Sequence, residues 1–169
     1  MESRKFWFFC DDDLLSQWII APFQVQISPT EIITFNCSEQ YMMYRKAKLF
    51  GDDETAKQIL QTTDPVQQKE LGRKAKGFNA ELWDSNKEKI VYEGNYYKFS
   101  QNHELREKLF RLGNVEFVET NPDDSIWGIG LSDNDERIHD KSQWKGLNLL
   151  GKILTQVRDD LLLLIERQR

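Results

Sequence analysis

At 169 residues, with 39% hydrophobic and 12% aromatic content, the chain is long and apolar enough for a substantial core and is not a disordered sequence. A formal charge of −5, without a basic tail or arginine-rich run, argues against broad electrostatic attraction to nucleic acid, although a few clustered cations would suffice for a phosphate pocket. Two cysteines and two histidines are too few, and wrongly spaced, for a disulfide framework or a zinc site, so no metal is expected.

The apolar run Phe6-Trp7-Phe8-Phe9 precedes three aspartates and is too short for a signal peptide or a membrane span. A reduced, cytoplasmic protein is expected, off the membrane and monomeric. Residues 6–9 and 18–27 read as short strands, the second from Val25 and Ile27 alternating with Gln24 and Gln26. Between them, Leu14-Leu15-Ser16-Gln17-Trp18 turns the chain and presents small polar groups. The next stretch, Asn36 to Phe50, reads as a helix with capping candidates Asn36 and Ser38 and a stop at Gly51. Glu39 and Lys46 lie seven residues apart, close to two turns, and so project from one face together with Met42 and Met43. A solvated amphipathic helix accounts for that pattern; so does a carboxylate and an amine held together for chemistry.

Asp52 and Asp53 can cap a short helix through Ala56, Ile59 and Leu60, and Thr62-Thr63-Asp64-Pro65 starts another that carries Leu71-Gly72-Arg73 and stops before Gly77. A longer helix follows, with Leu82, Trp83, Ile90, Val91 and Tyr97 on one face interrupted by Gly94. Lys98 and His103 look like surface residues. Asn102 or His103 opens a helix ended by Gly113, and Val115 to Glu119 suits a brief extended segment. After a turn at Asn121–Ser125, the polar stretch Ser132–Gln143 reads as a surface loop. The last helix begins near Leu147, with Leu150, Ile153, Leu154, Val157, Leu161 and Leu164 as its buried stripe. The fold class expected is mainly α: one compact multihelical domain over residues 1–169 with a small N-terminal β element.

No phosphate-cradling Walker sequence, dinucleotide fingerprint or nucleophile elbow is present. Trp127 could stack on a planar group while Gly128 and Gly130 let backbone approach a ligand, or the three could form an aromatic plug and a tight turn. Asn148 suits a helix cap. Arg73 could grip a phosphate or meet carbonyls at its helix end. Asp124 could bind a sugar or base, or stabilise an Asx turn.

The ordered set Leu15-Ser16-Gln17-Trp18…Pro22, Ser38-Glu39-Gln40-Tyr41…Lys46, Leu71-Gly72-Arg73, Trp83, Lys98-Phe99…Gln101, Asp124…Trp127-Gly128…Gly130 and Gly146…Asn148…Leu150-Gly151 resembles the NADAR (YbiA-like) domain family over residues 6 to 160. The resemblance implies a compact helical fold and N-glycosidase activity without a cofactor. Its substrate would be a ribosylated nucleotide: a phosphoribosylated intermediate of riboflavin synthesis, or ADP-ribosylated guanine, free or in nucleic acid. By the same resemblance Glu39 and Lys46 are catalytic, and Ser16, Gln17, Arg73, Trp83, Asp124, Trp127, Gly128, Gly130 and Asn148 bind substrate. Two departures touch the substrate mouth: Ser16-Gln17-Trp18 stands where the family often has Ser-Asn-Phe, and the loop 131–145 is longer than in compact bacterial members. The alternative is a module that binds ADP-ribose or a related nucleotide without turning it over.

Overall fold

The computed structural model describes residues 3–11 and 13–169, and the chain divides into two compact units. One comprises residues up to Ser16 together with His103–Arg169; the other is Gln17–Asn102. The class is as expected: six α-helices dominate, with four short strands among the described residues.

In the first unit, strand β1 (Phe6–Phe9) pairs in parallel with β4 (Glu116–Glu119), Phe6 opposite Glu116 and Phe9 opposite Glu119. A parallel pair needs a long connection, and here all of Gln17–Asn102 is inserted between its strands. Helices α5 (His103–Arg111) and α6 (Leu149–Arg167) complete the unit, α6 lying on β4. Phe117, Val118, Leu154 and Val157 are wholly buried. Leu150, Ile153 and Leu161 are buried as the stripe predicts, but Leu164 is 43% exposed, one turn past the end of the covered face. The stretch 132–143 is more ordered than a surface loop. It forms short 3₁₀ helices at Glu136–His139 and Lys141–Gln143, and Ile138 packs with Val118, Ile129 and Leu131.

In the second unit, β2 (Phe23–Ser28) and β3 (Glu31–Phe35) form an antiparallel hairpin with an irregularity between Gln26 and Ser28. The strand expected over residues 18–27 thus starts five residues later. Its partner β3 went unread, because Glu31-Ile32-Ile33-Thr34-Phe35 is too short for clear alternation. Helix α1 (Ser38–Leu49) is the hub, packed by α2 (Asp53–Gln61), α3 (Pro65–Arg73) and α4 (Ala80–Gln101). Eight of its residues are buried, including the polar Ser38, Glu39 and Gln40, so it shows no simple amphipathic stripe. Its N-cap is neither Asn36 nor Ser38 but Cys37, whose sulfur accepts from the Gln40 amide. Asn36 instead donates its side chain to the Thr63 carbonyl, and the Ser38 hydroxyl donates to Asn95. Gly51, at φ +74°, ends the helix as expected.

Asp52 caps α2, and Asp64 caps α3 with Pro65 in its first turn, where a missing N–H costs nothing. Helix α4 runs unbroken through Gly94. A Cβ there would stand 2.8 Å from the Tyr41 ring, so this glycine admits α1 against α4. Gly72 does the same for α3, since a Cβ would fall 2.0 Å from the Met43 sulfur.

Candidate active site

Helix α1 carries its two charged groups into different surroundings. Glu39 is 6% exposed, near the N-terminus, and its amide donates to the Gln17 carbonyl at 3.0 Å. The carboxylate therefore sits at the positive end of the helix dipole. Two turns on, Lys46 is half-buried, its Nζ 5.4 Å from the centre of the Trp83 ring and 5.4 Å from that of Phe78. Trp83 comes from the first turns of α4 and Phe78 from the segment just before it. The two rings take the place of water around the amine.

Burial is the main influence on Lys46 and lowers its affinity for a proton; Glu39 opposes this and Arg73 reinforces it. Arg45 and Lys48 are the cations nearest to Lys46 along the chain. Both are engaged elsewhere, Arg45 with Glu93 and Tyr41, Lys48 with Asp53 at 2.7 Å. Arg73 takes their part because Gly72 brings the end of α3 against Met43. Arg73 as a residue is exposed.

Gln17 belongs to the same unit and ties the start of α1 to α4. Its side-chain oxygen accepts from Asn95 Nδ2 at 2.7 Å, and its Nε2 points to the Met42 sulfur at 3.7 Å. Asn95 in turn accepts from Ser38 and donates to the Val91 carbonyl. One turn further along α4, Lys98 is wholly buried, which corrects its expected place on the surface. His103 is exposed as expected, beside Glu107. The signal for Lys98 was present in the spacing Val91, Asn95, Lys98, a single face at offsets of four and three. Phe78 gave no such signal, because it precedes its helix.

In the other unit the singled-out residues are held differently. Asp124 accepts from the amides of Ile126 and Trp127, both at 2.9 Å, which is an Asx turn with a second bond. Segment 125–130 then pairs with 145–150: Leu147 donates to Ser125, Asn148 to Gly128, Leu150 to Trp127 and Lys145 to Ile129. A Cβ on Gly128 would stand 3.0 Å from the Glu119 carbonyl oxygen, and one on Gly146 2.3 Å from that of Gly128. Gly130 has φ +69°. These glycines are explained by backbone meeting backbone. Trp127 is half-buried, with Ile126 and Leu147 exposed nearby in the chain pairing.

Asn148 stands before α6 but makes no side-chain cap. Its backbone is left-handed at φ 53°, and its buried amide donates to the Phe117 carbonyl and accepts from the Glu119 amide, each at 3.0 Å. It ties α6 to β4. Ser16 is buried, with its amide donating to Asp13.

A family model described as the NADAR domain matches residues 6–162. The chain belongs to the NADAR domain family. It is 39% identical over 167 residues to N-glycosidase R617 of Acanthamoeba polyphaga mimivirus, covering 95% of this chain and 98% of that one. Protein irg-1 of Caenorhabditis elegans is 44% identical over 133 residues, 78% of this chain and 63% of its own. N-glycosidase YbiA of Escherichia coli is 28% identical over 128 residues, 76% of this chain and 71% of its own. The NMR structure of Escherichia coli YbiA matches this fold with a TM-score of 0.75 at 25% identity, covering 100% of this chain and 90% of that one. The match spans both compact units. Among the described residues no group of three or more His, Cys, Asp or Glu side chains is placed to hold a metal ion, and no helix is long and apolar enough to cross a membrane.

Proposed function

We propose that this NADAR family member is an N-glycosidase that hydrolyses the bond between a ribose carbon and a nitrogen of a base or amino-pyrimidine. The ribose would be phosphorylated or part of ADP-ribose, as in phosphoribosylated riboflavin-pathway intermediates or ADP-ribosylated guanine. The observation that carries this proposal is the Lys46 amine, flanked by Trp83 and Phe78 and made less basic by burial, on the same helix as the buried Glu39. The names of the relatives from mimivirus and Escherichia coli support the reaction class, and the family match over residues 6–162 supports treating the two units as one domain.

The chemistry follows from the charge that bond cleavage creates. Positive charge builds on the anomeric carbon and negative charge on the departing nitrogen, so a carboxylate and a proton donor lower the barrier. The Lys46 nitrogen, when neutral, gives its electron pair to the anomeric carbon. The base nitrogen leaves with the electrons of the glycosidic bond and takes a proton, for which Glu39 is the relay. Breaking the ring C–O bond then leaves a lysine imine and a hydroxyl. Water adds to the imine carbon, and the amine departs with its pair as the sugar aldehyde forms. Arg73, close enough to act on Lys46, is the candidate for a substrate phosphate.

Separate incubations with ADP-ribosylated guanosine, ADP-ribosylated DNA and phosphoribosylated amino-pyrimidines, followed by chromatography, test the proposal, with borohydride added to trap an imine at Lys46. Release of free base and a reduced adduct on Lys46 are expected. Calorimetric binding of ADP-ribose without turnover of any of the three would replace the enzyme with the binding module. An active Lys46→Ala variant without adduct would remove the lysine step.

A further inference from the structure

The buried charges of the second unit come as a pair. Among its described residues Glu39 is the one buried carboxylate and Lys98 the one buried ammonium, at 6% and 0% exposure. A lone charge at either place would carry the uncompensated penalty of desolvating an unpaired ion. Their elements are in contact, α1 against α4. Asn95, one turn before Lys98, binds Ser38, the residue before Glu39, and also Gln17, whose carbonyl holds the Glu39 amide. Both charges also act on the Cys37 thiol, which Glu39 pushes up and Lys98 pulls down.

The other charged groups around α1 are committed elsewhere. On α4, Glu93 is held by Arg45 and Tyr41. On α2, Asp53 is paired with Lys48. Glu31 of β3 acts on Tyr44 and Lys48, and Arg73 of α3 acts on Lys46. Lys46 does feel Glu39, but an amine that must be neutral to attack carbon cannot be the standing partner of a carboxylate. We infer that Lys98 is the counter-charge of Glu39, a positioning residue that keeps the carboxylate ionised and fixed while Lys46 gives up its proton. The pairing is a statement about the fold's charges; its role in turnover rests on the N-glycosidase proposal above.

The test separates the two. The Glu39 side-chain carboxyl is followed by carbon-13 NMR across pH, without substrate, in the wild-type chain and in Lys98→Met and Lys98→Arg. Loss of the counter-charge raises the midpoint in Lys98→Met by about one pH unit or more, the size expected when an adjacent opposite charge is removed, and Lys98→Arg restores most of it. In the turnover assay Lys98→Met moves the acidic limb of the pH profile up by the same amount and lowers kcat about 10- to 100-fold, with KM within about threefold. An unmoved Glu39 midpoint in a folded Lys98→Met chain overturns the inference. A moved midpoint in a protein with no turnover at all keeps the pairing and removes the N-glycosidase function. If Lys98→Met alone does not fold, the pairing requires that the double variant Glu39→Gln/Lys98→Met regain a cooperative melting transition; a double variant as unfolded as the single one overturns it.

Discussion

The two stretches that the family pattern marks most strongly, the start of α1 and the loop from Asp124 to Gly130, spend their polar groups in opposite ways. In the loop and the segment 145–150 bonded to it, Asp124 and Asn148 give their side chains to backbone amides and carbonyls, and Gly128 and Gly146 make room for backbone. Around α1, charged side chains are gathered instead: Glu39 and Lys98 are buried and both act on Cys37, and the half-buried Lys46 feels Glu39 between a pair of aromatic rings. A motif residue can thus be needed because it builds the frame or because it does chemistry. Neighbouring bonds tell the two apart, whereas residue type does not.

The largest effect should come from the chemical side of that contrast. Glu39→Gln keeps the shape of the side chain and removes its charge and proton-carrying capacity, so turnover is expected to fall by about 10²- to 10⁴-fold, the usual worth of a general acid or base. Because the change also leaves Lys98 buried without its counter-charge, it should lower the melting temperature as well. A Glu39→Gln enzyme with near wild-type turnover on the substrates named above would move α1 to the frame side of the comparison.

Asn148→Ala probes the frame. It removes both bonds to β4 and leaves a non-glycine residue at φ 53° without the side chain that favours it. Two orphaned backbone groups and the left-handed strain together should cost about 2–4 kcal/mol in chemical denaturation. A variant with unchanged stability but a raised KM would instead make Asn148 a substrate contact.

How much of this was legible beforehand follows the same division. Caps and stops that depend on local chemistry, such as Asp52, Asp64 with Pro65, Gly51 and Gly113, could be read because their partners lie within a few residues. The Glu39–Lys46 spacing was readable for the same reason. Cys37 as a cap was not, since sulfur is a weak acceptor and Asn36 and Ser38 are the better candidates until their long-range partners Thr63 and Asn95 are known. Lys98 was hidden by its residue type, which is almost never fully buried unless paired. Arg73 as the cation beside Lys46 depends on the approach of α3 that Gly72 allows, a contact between positions 27 residues or more apart.

Trp83→Leu should have a smaller effect than either change above. Cation–ring attraction favours the charged amine, by about 0.5–2 kcal/mol, while ring burial disfavours it by excluding water. Burial is the larger influence on Lys46, so opening the site to water should raise the basicity of the amine and slow imine trapping at neutral pH several-fold. Faster trapping would mean that the rings act chiefly through attraction.

Arg73→Gln gives the smallest and most discriminating effect. Lys46 is held below its ordinary value, so between that lowered value and 10.5 the unfolded chain binds more protons than the folded one, and stability contributed at this site rises with pH across that window. The rate of imine formation should climb through the lowered value as the neutral amine accumulates. Arg73 is the least of the three influences and its side chain is exposed, so solvent screens it. Its removal should move the limb upward by well under about one pH unit, and high salt should move the wild-type limb the same way. If Arg73 instead holds a substrate phosphate, Arg73→Gln raises KM for phosphorylated substrates about tenfold or more and leaves KM for the corresponding free nucleosides alone. A shifted limb with unchanged KM assigns Arg73 to the electrostatics of α1; a raised KM with an unshifted limb assigns it to substrate. Measuring both in one pH series decides which, because salt mimics the first effect and cannot mimic the dependence of the second on the phosphate.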